Sequence, residues 1–374
     1  MRRILYCGEY TGFAGGIERY AFQTARHLRA AGWRVDWYGT RSERGEAQFR
    51  SGFDAVVSAE AALAGDHDLA ILHKLPDPEL LTRLREKFGE RLVFLAHDHD
   101  LYCPRRYYYT PFGRINCHRA CAPFRCWCCS RLVSPRKWSG LRKHHAALLA
   151  ELRGHHAAVL SGFMRDNLLR NNFRAEAIHL LPPIVAVPET VARTASDGPL
   201  RILYVGQLIR GKGVDLMLKA LALLRIPWRA VIVGDGNDRA MLEGLAADLR
   251  IADRVRFTGW TDEPETFFAD CDAAVFPSRW QEPFGLSGAE ALAHGVPVAA
   301  FDIGGVREWL TDGRSGFAVP EQDIPALAEK LELFYREPEL RKKMGDAGRE
   351  SVRERFSPER FLAAVENLTE AVKP

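Results

Sequence analysis

Twice in this chain an apolar run ends on a glycine-rich loop and passes straight into a helical pattern, and that repeated unit limits the fold more than any other feature. Arg3-Ile-Leu-Tyr-Cys7 leads into Gly8-Glu-Tyr-Thr-Gly-Phe-Ala-Gly-Gly16, an amphipathic stretch from Ile17 to about Ala31, and a second apolar run, Trp33 to Tyr38. Leu200 to Val205 repeats the opening, with the loop Gly206-Gln-Leu-Ile-Arg-Gly-Lys-Gly213 and a helical stretch to Leu224. A strand that returns by way of a helix comes back parallel to the first, so the pattern predicts a parallel sheet with crossover helices. Further strands are expected at 54–57, 68–72, 92–95, 155–160, 178–181, 229–233 and 254–257. Helices are expected over 78–88, from Ser161 through Arg170, near 263–269 and across most of the tail from Asp323.

The break between the two repeats is Pro182 to Pro199, four prolines with little apolar periodicity, which reads as a linker. The expected domains are 1–185, a linker at 186–199, 200–356, and a last helix from about residue 357 to 374 that folds back on the first domain. A chain of 374 residues with 47% hydrophobic residues can build two such cores. Lys and Arg number 52 against 48 Asp and Glu, a near balance that argues against a general nucleic-acid binder. The balance hides one basic window. From Leu101 to Ala150 there are ten Lys or Arg residues and no acid, leaving −6 on the rest of the chain. A helix over 134–153, with Arg136, Lys137, Trp138, Arg142 and Lys143, either rests on an anionic membrane surface or is a solvated face. With no apolar run long enough to span a bilayer, the expected location is cytoplasmic, with peripheral contact on the inner face of the membrane as the alternative.

Ala273 to Ala300 carries the densest chemistry: a short apolar run ending at Pro277, a polar loop, a helical stretch from Leu286 to Ala293, and Val296-Pro-Val-Ala-Ala. Glu282 falls on the loop and Glu290 about one turn inside the helix. The amides of Gly285, Leu286, Ser287 and Gly288 have few intrahelical partners, so they form an anion site beside two carboxylates. A ligand with both hydroxyls and phosphate fits, and a nucleotide sugar is one. Lys212, at the entrance to a helix, is placed to meet a diphosphate, although no GxxxxGK[ST] is present. Gly15 and Gly16 either let backbone approach a phosphate or only make a tight turn. His97 stands at the carboxyl end of an expected strand, where α/β proteins bind ligands, and is a candidate for acid–base or hydrogen-bonding work on a hydroxyl.

Six of the eight cysteines lie between Cys103 and Cys129. Cys126 and Cys129 have the spacing of a zinc knuckle, and Cys103 and Cys117 can complete a thiolate site for zinc or an iron–sulfur cluster. Cys121 and Cys128 are left over, and the alternative is a set without metal.

Glu282-Pro-Phe-Gly-Leu-Ser-Gly-Ala-Glu290 followed by His294-Gly-Val-Pro-Val298, with Gly15-Gly16, Gly206 to Gly213, Gly234-Asp-Gly236 and Gly304-Gly305 before Glu308, resembles the retaining nucleotide-sugar glycosyltransferases of family 4. The resemblance covers nearly the whole chain. It implies the GT-B fold, two Rossmann-like domains facing across a cleft. It also implies that Glu290 binds the ribose hydroxyls, Glu282 the donor sugar and Lys212 the departing diphosphate. Leu286 and Ser287 with Gly15 and Gly16 would cradle the phosphates, and His97 would lie near the reacting sugar. Gln207 departs from the pattern, standing where many relatives carry an arginine on the diphosphate. Some bacterial members have a similar Cys-rich insert, here 101–130, whose pattern selects Cys103, Cys117, Cys126 and Cys129.

The implied reaction is transfer of a sugar from a UDP-, GDP- or ADP-linked donor to a hydroxyl of a glycan or lipid-linked acceptor, with retention. Cell-surface polysaccharide or glycoconjugate synthesis is the expected setting. No carboxylate pair for metal-bridged donor phosphates is evident, so no magnesium requirement is expected. A sugar-nucleotide epimerase and a non-catalytic metal-binding scaffold are the competing readings.

Overall fold

The computed structural model describes residues 2–74, 78–103, 108, 116–122, 125–126, 129, 149–150, 152–190 and 198–373. These form two units, Met1–Ile184 with Pro358–Pro374, and Val185–Ser357. Most of the expected helix over 134–153, half of the linker (191–197) and just over half of the insert lie outside the described residues.

In the first unit β1 (Arg3–Thr11), β2 (Arg34–Ser42), β3 (Ala55–Val56), β4 (Leu69–Leu72), β5 (Leu92–Ala96), β6 (His156–Val159) and β7 (Ile178–Leu180) form a seven-stranded sheet in the order β3-β2-β1-β4-β5-β6-β7. Every pairing is parallel, with Cys7 opposite Leu72 and Leu72 opposite Phe94. Both faces of β4 and β5 are buried, as expected of apolar strands covered by helices on either side. Helices α1 (Gly16–Ala30), α2 (Glu46–Ser51), α3 (Ala59–Ala64), α4 (Pro78–Phe88) and α5 (Gly162–Arg170) lie between the strands.

The second unit repeats the plan. Strands β8 (Leu200–Val205), β9 (Trp228–Val233), β10 (Val255–Gly259), β11 (Ala273–Phe276), β12 (Val298–Phe301) and β13 (Gly316–Val319) run in the order β10-β9-β8-β11-β12-β13, again all parallel. Helices α6 (Val214–Leu223), α7 (Arg239–Asp248), α8 (Leu286–Ala293), α9 (Ile324–Arg336) and α10 (Pro338–Arg355) complete it. The segment expected as a helix near 263–269 is a 3-10 turn, Pro264–Phe268. Strand order reverses between β1 and β4 and again between β8 and β11. In open parallel sheets such switch points are where ligands bind, outside the carboxyl ends of the strands.

The last helix, α11 (Pro358–Ala371), belongs to the first unit. Its buried Phe361, Val365 and Leu368 supply the apolar stripe. Phe361 meets Tyr20 of α1 edge to face at 6.3 Å, and Arg2 bonds Glu366 at 3.1 Å.

Candidate active site

At the second unit's switch point two loops are tied together. The loop after β8 carries Lys212, and the loop after β11 carries Ser278, Arg279 and Glu282. Gly213 sits at φ +69°, and a Cβ there would fall 1.9 Å from the Pro277 carbonyl oxygen, so only glycine lets the two backbones come this close. Arg279 N donates to Gly211 O at 2.8 Å, and its guanidinium donates to Arg210 O at 3.1 Å and to both oxygens of Asp215, the Nη2–Oδ2 bond being 2.6 Å. Both side chains are largely buried, and although burial pushes the Asp215 carboxyl up, Arg279 outweighs it and holds the pKa below the usual range.

That clamp delivers Lys212 Nζ to Glu282 Oε1 at 2.7 Å, and Ser278 Oγ donates to the same oxygen at 2.7 Å. The Glu282 backbone is pinned in turn, because Gly305 N donates to its carbonyl at 2.7 Å. Gly304, at φ +60°, is where a side chain would run into Glu282's own backbone. The ammonium keeps two N–H donors beyond the Glu282 bond, which suits an oxyanion.

Four residues on, α8 begins. Its N-cap is Gly285, no side chain caps it and its first turn holds no acid, so the amides of Leu286 and Ser287 and the positive end of the helix dipole stand open to an anion. Glu290 lies one turn along, half-buried. The expected group Lys212, Glu282, Leu286, Ser287 and Glu290 thus falls on one pair of loops and the helix that follows. Gln207 is exposed, and its carbonyl accepts from Tyr204 Oη at 3.0 Å.

At the first unit's switch point His73 and Lys74 follow β4, and His97 to Asp100 follow β5. His73 Nδ1 lies 2.9 Å from His97 Nε2, with the rings stacked at 5.1 Å. Tyr20 closes on both rings, at 5.9 and 5.1 Å. Burial pushes the His97 imidazole down to about 3 and drives His73 well below its ordinary range, so both are neutral at physiological pH. Lys74 bonds Asp98 at 2.7 Å and Asp100 at 2.5 Å. Burial and the adjoining Asp98 raise Asp100 to about 6.

Gly15 is the N-cap of α1 in extended backbone. The amide end there meets a carboxylate of the chain itself. Glu18, 4% exposed, is raised by burial and drawn back by the amides of Glu18 and Gly15. A phosphate at Gly15 and Gly16 has to share those amides with Glu18.

Among the described residues no three His, Cys, Asp or Glu side chains converge to hold a metal ion. Cys103, Cys117, Cys126 and Cys129 are therefore not brought together as the expected zinc or iron–sulfur ligand set. Cys126 pairs instead with Cys121, the residue the spacing left over; the shared hydrogen bond raises the Cys121 thiol and lowers Cys126 to about 6. Cys103, Cys117 and Cys121 pack against the apolar core of the first unit, and none of the described cysteines is in a disulfide. Cys128 and residues 134–148 of the expected basic helix lie outside the described residues. No helix among the described residues is long and apolar enough to cross a membrane.

Ser278, Arg279, Asp215, His73 and Glu18 escaped the reading of the sequence. His73 alone had a usable signal, since it ends the apolar run Leu69 to Leu72 just as His97 ends its own.

Residues 189–351 match the model of the family described as glycosyl transferases group 1. The lipopolysaccharide core biosynthesis glycosyltransferase LpsE of Rhizobium meliloti is 32% identical over 195 residues, 51% of this chain and 55% of the relative. The alpha-D-kanosaminyltransferase of Streptomyces kanamyceticus is 31% identical over 206 residues, 50% of this chain and 53% of the relative. The chain spans about half the length of the curated relatives it matches. Among solved structures, sucrose-phosphate synthase from Thermosynechococcus elongatus superimposes with a TM-score of 0.74 at 22% identity, covering 99% of this chain and 98% of that one. Anabaena HepE in complex with UDP-glucose gives 0.75 at 18% identity, covering 99% and 100%. At such identities the likeness concerns the fold alone, and it bears out the expected pair of Rossmann-like parallel-sheet domains of the GT-B kind.

Proposed function

We propose that this chain is a retaining glycosyltransferase that moves a sugar from a nucleoside diphosphate sugar to a hydroxyl of a glycan or lipid-linked acceptor. The observation that carries the reading is the Lys212–Glu282 bond at a switch point, four residues before an uncapped helix N terminus. Cation, carboxylate and open amides match the three parts of such a donor: diphosphate, sugar hydroxyls and phosphate oxygens. The UDP-glucose held by the HepE structure supports a nucleotide-sugar donor as well.

In this reading Glu290 binds the ribose, Glu282 the donor sugar, and Leu286 and Ser287 the phosphates. The bond from the anomeric carbon to the diphosphate breaks as the bond to the acceptor oxygen forms on the same face, and the acceptor's proton leaves on the diphosphate. Lys212 stabilises the charge that develops on the leaving group, and His97 hydrogen-bonds the sugar being moved. Catalysis is then positioning and electrostatics, with no covalent nucleophile.

A thermal-shift panel of UDP-, GDP- and ADP-sugars tests donor binding, with one base expected to stabilise the protein by about 2.7 kcal/mol at a hundred times its Kd. Proton NMR of the product then reads the anomeric configuration. Inversion would overturn the retaining assignment, and release of a free altered sugar nucleotide without an acceptor would favour an epimerase.

A further inference from the structure

The His73–His97 pair contains more information than the position of one catalytic histidine. Both rings are neutral, so a single proton lies between His73 Nδ1 and His97 Nε2, 2.9 Å apart. Two arrangements are open. If His97 donates from Nε2, His73 must carry its own proton on Nε2. If His73 donates from Nδ1, its Nε2 is a bare lone pair and His97 carries its proton on Nδ1.

The surroundings choose between them. His73 is 2% exposed, and among the described residues its Nε2 has no hydrogen-bond partner. In the first arrangement that atom is a buried N–H with nothing to receive it, the kind of orphan that folded proteins tolerate least. In the second it is an unfilled acceptor, which costs less. Tyr20, against both rings, and the stacking of the two imidazoles prevent either from turning to find another partner.

We infer that His73 is a positioning residue that holds His97 in the Nδ1–H tautomer, so that His97 offers a hydrogen-bond donor and not a base. His97 is the more accessible ring of the two, and Nδ1 is the nitrogen its partner leaves unused. A donor at that atom serves an oxygen of a bound sugar. It cannot take up the acceptor's proton, which therefore leaves by another route. This role rests on the proposed transferase reading, in which His97 meets the sugar, whereas the tautomer itself does not depend on it.

The experiment is nitrogen NMR of the full chain labelled with 15N-histidine at neutral pH, the His97 signals being those lost in His97→Ala. The expected result is protonated Nδ1 and bare Nε2 on His97. In His73→Leu the commoner Nε2–H form should appear, and kcat should fall roughly tenfold, the worth of one hydrogen bond, with KM for the donor little changed. His73→Asn, whose amide can donate from the place of Nδ1, should restore the tautomer and most of kcat. An Nε2–H signal on His97 in the wild type overturns the inference. So does a His73→Leu variant with the wild-type melting temperature, tautomer and kcat. If His97→Ala turns over at the wild-type rate while the wild-type tautomer is Nδ1–H, the reading of His97 as a sugar ligand fails and the tautomer assignment stands.

Discussion

Removing Arg279 should damage the protein twice over. Arg279→Ala leaves the Asp215 carboxylate buried and without its partner, a change that typically costs about 3–5 kcal/mol. It also frees the loop that delivers Lys212, so turnover should fall in the protein that remains folded. Chemical denaturation and kcat on the same preparation check both effects, and wild-type values for both would show that the clamp is incidental. The histidine pair gives a pH signature. An unfolded chain protonates each imidazole near its ordinary value of 6.5, whereas folded His97 holds out to about 3. Between those limits the folded state binds fewer protons, so stability falls as pH drops, by about 1.4 kcal/mol per pH unit for such a histidine. Denaturation midpoints at pH 7.5 and 5 should converge in His97→Asn relative to the wild type, and an unchanged difference would remove His97 from the balance. Residues of this kind split into two groups in the sequence. Glu282, Glu290 and Lys212 could be read from spacing and strand ends. Ser278, Arg279 and Asp215 could not: Arg279 and Asp215 meet across 64 positions, and Ser278 reaches Glu282 only through the fold of their shared loop.

The loops and helix ends of the strand–loop–helix units make the next level. Gly213→Ala should cost at least about 1–2 kcal/mol for the left-handed backbone alone, and the contact with Pro277 O must add to it by moving Lys212. A melting curve and kcat would show it, with full activity at a wild-type melting temperature as the contrary result. At α1 the buried carboxylate of Glu18 has a raised pKa, so the charged form burdens the folded state as pH rises through that value. Glu18→Gln should therefore gain stability over the wild type at high pH and lose that advantage at low pH, which parallel denaturation series would reveal. Elements with strong periodicity, such as β1, α1, β8, α4 and α8, were legible in advance. The strand β13, only Gly316–Val319 and opened by a glycine, and the six-residue helices α2 and α3 were not, because they are too short to display a period and are held by tertiary packing. The Cys-rich stretch is a different case. Its spacing matched a metal knuckle, whereas among the described residues no three ligands converge and Cys121 lies beside Cys126 and against the core.

Each unit of the whole molecule is a parallel sheet with one strand order, β3-β2-β1-β4 onward in the first and β10-β9-β8-β11 onward in the second, and each places its polar side chains at its own switch point. The duplication was visible as a repeated strand–glycine–helix opening; the return of the last helix to the first unit was an expectation, and its buried Phe361, Val365 and Leu368 are what hold it there. In the first unit α11 supports Tyr20 through Phe361, and Tyr20 supports the histidine pair. The claim on which the rest depends is that the second unit's loops bind and activate a nucleoside diphosphate sugar. The most direct test is release of nucleoside diphosphate from the donor that binds, measured for the wild type, Lys212→Ala and Glu282→Ala. The account predicts release by the wild type and a loss on the order of 10²-fold or more in Lys212→Ala, with Glu282→Ala also impaired. No release by the wild type from any donor, or equal rates in all three proteins, would contradict it.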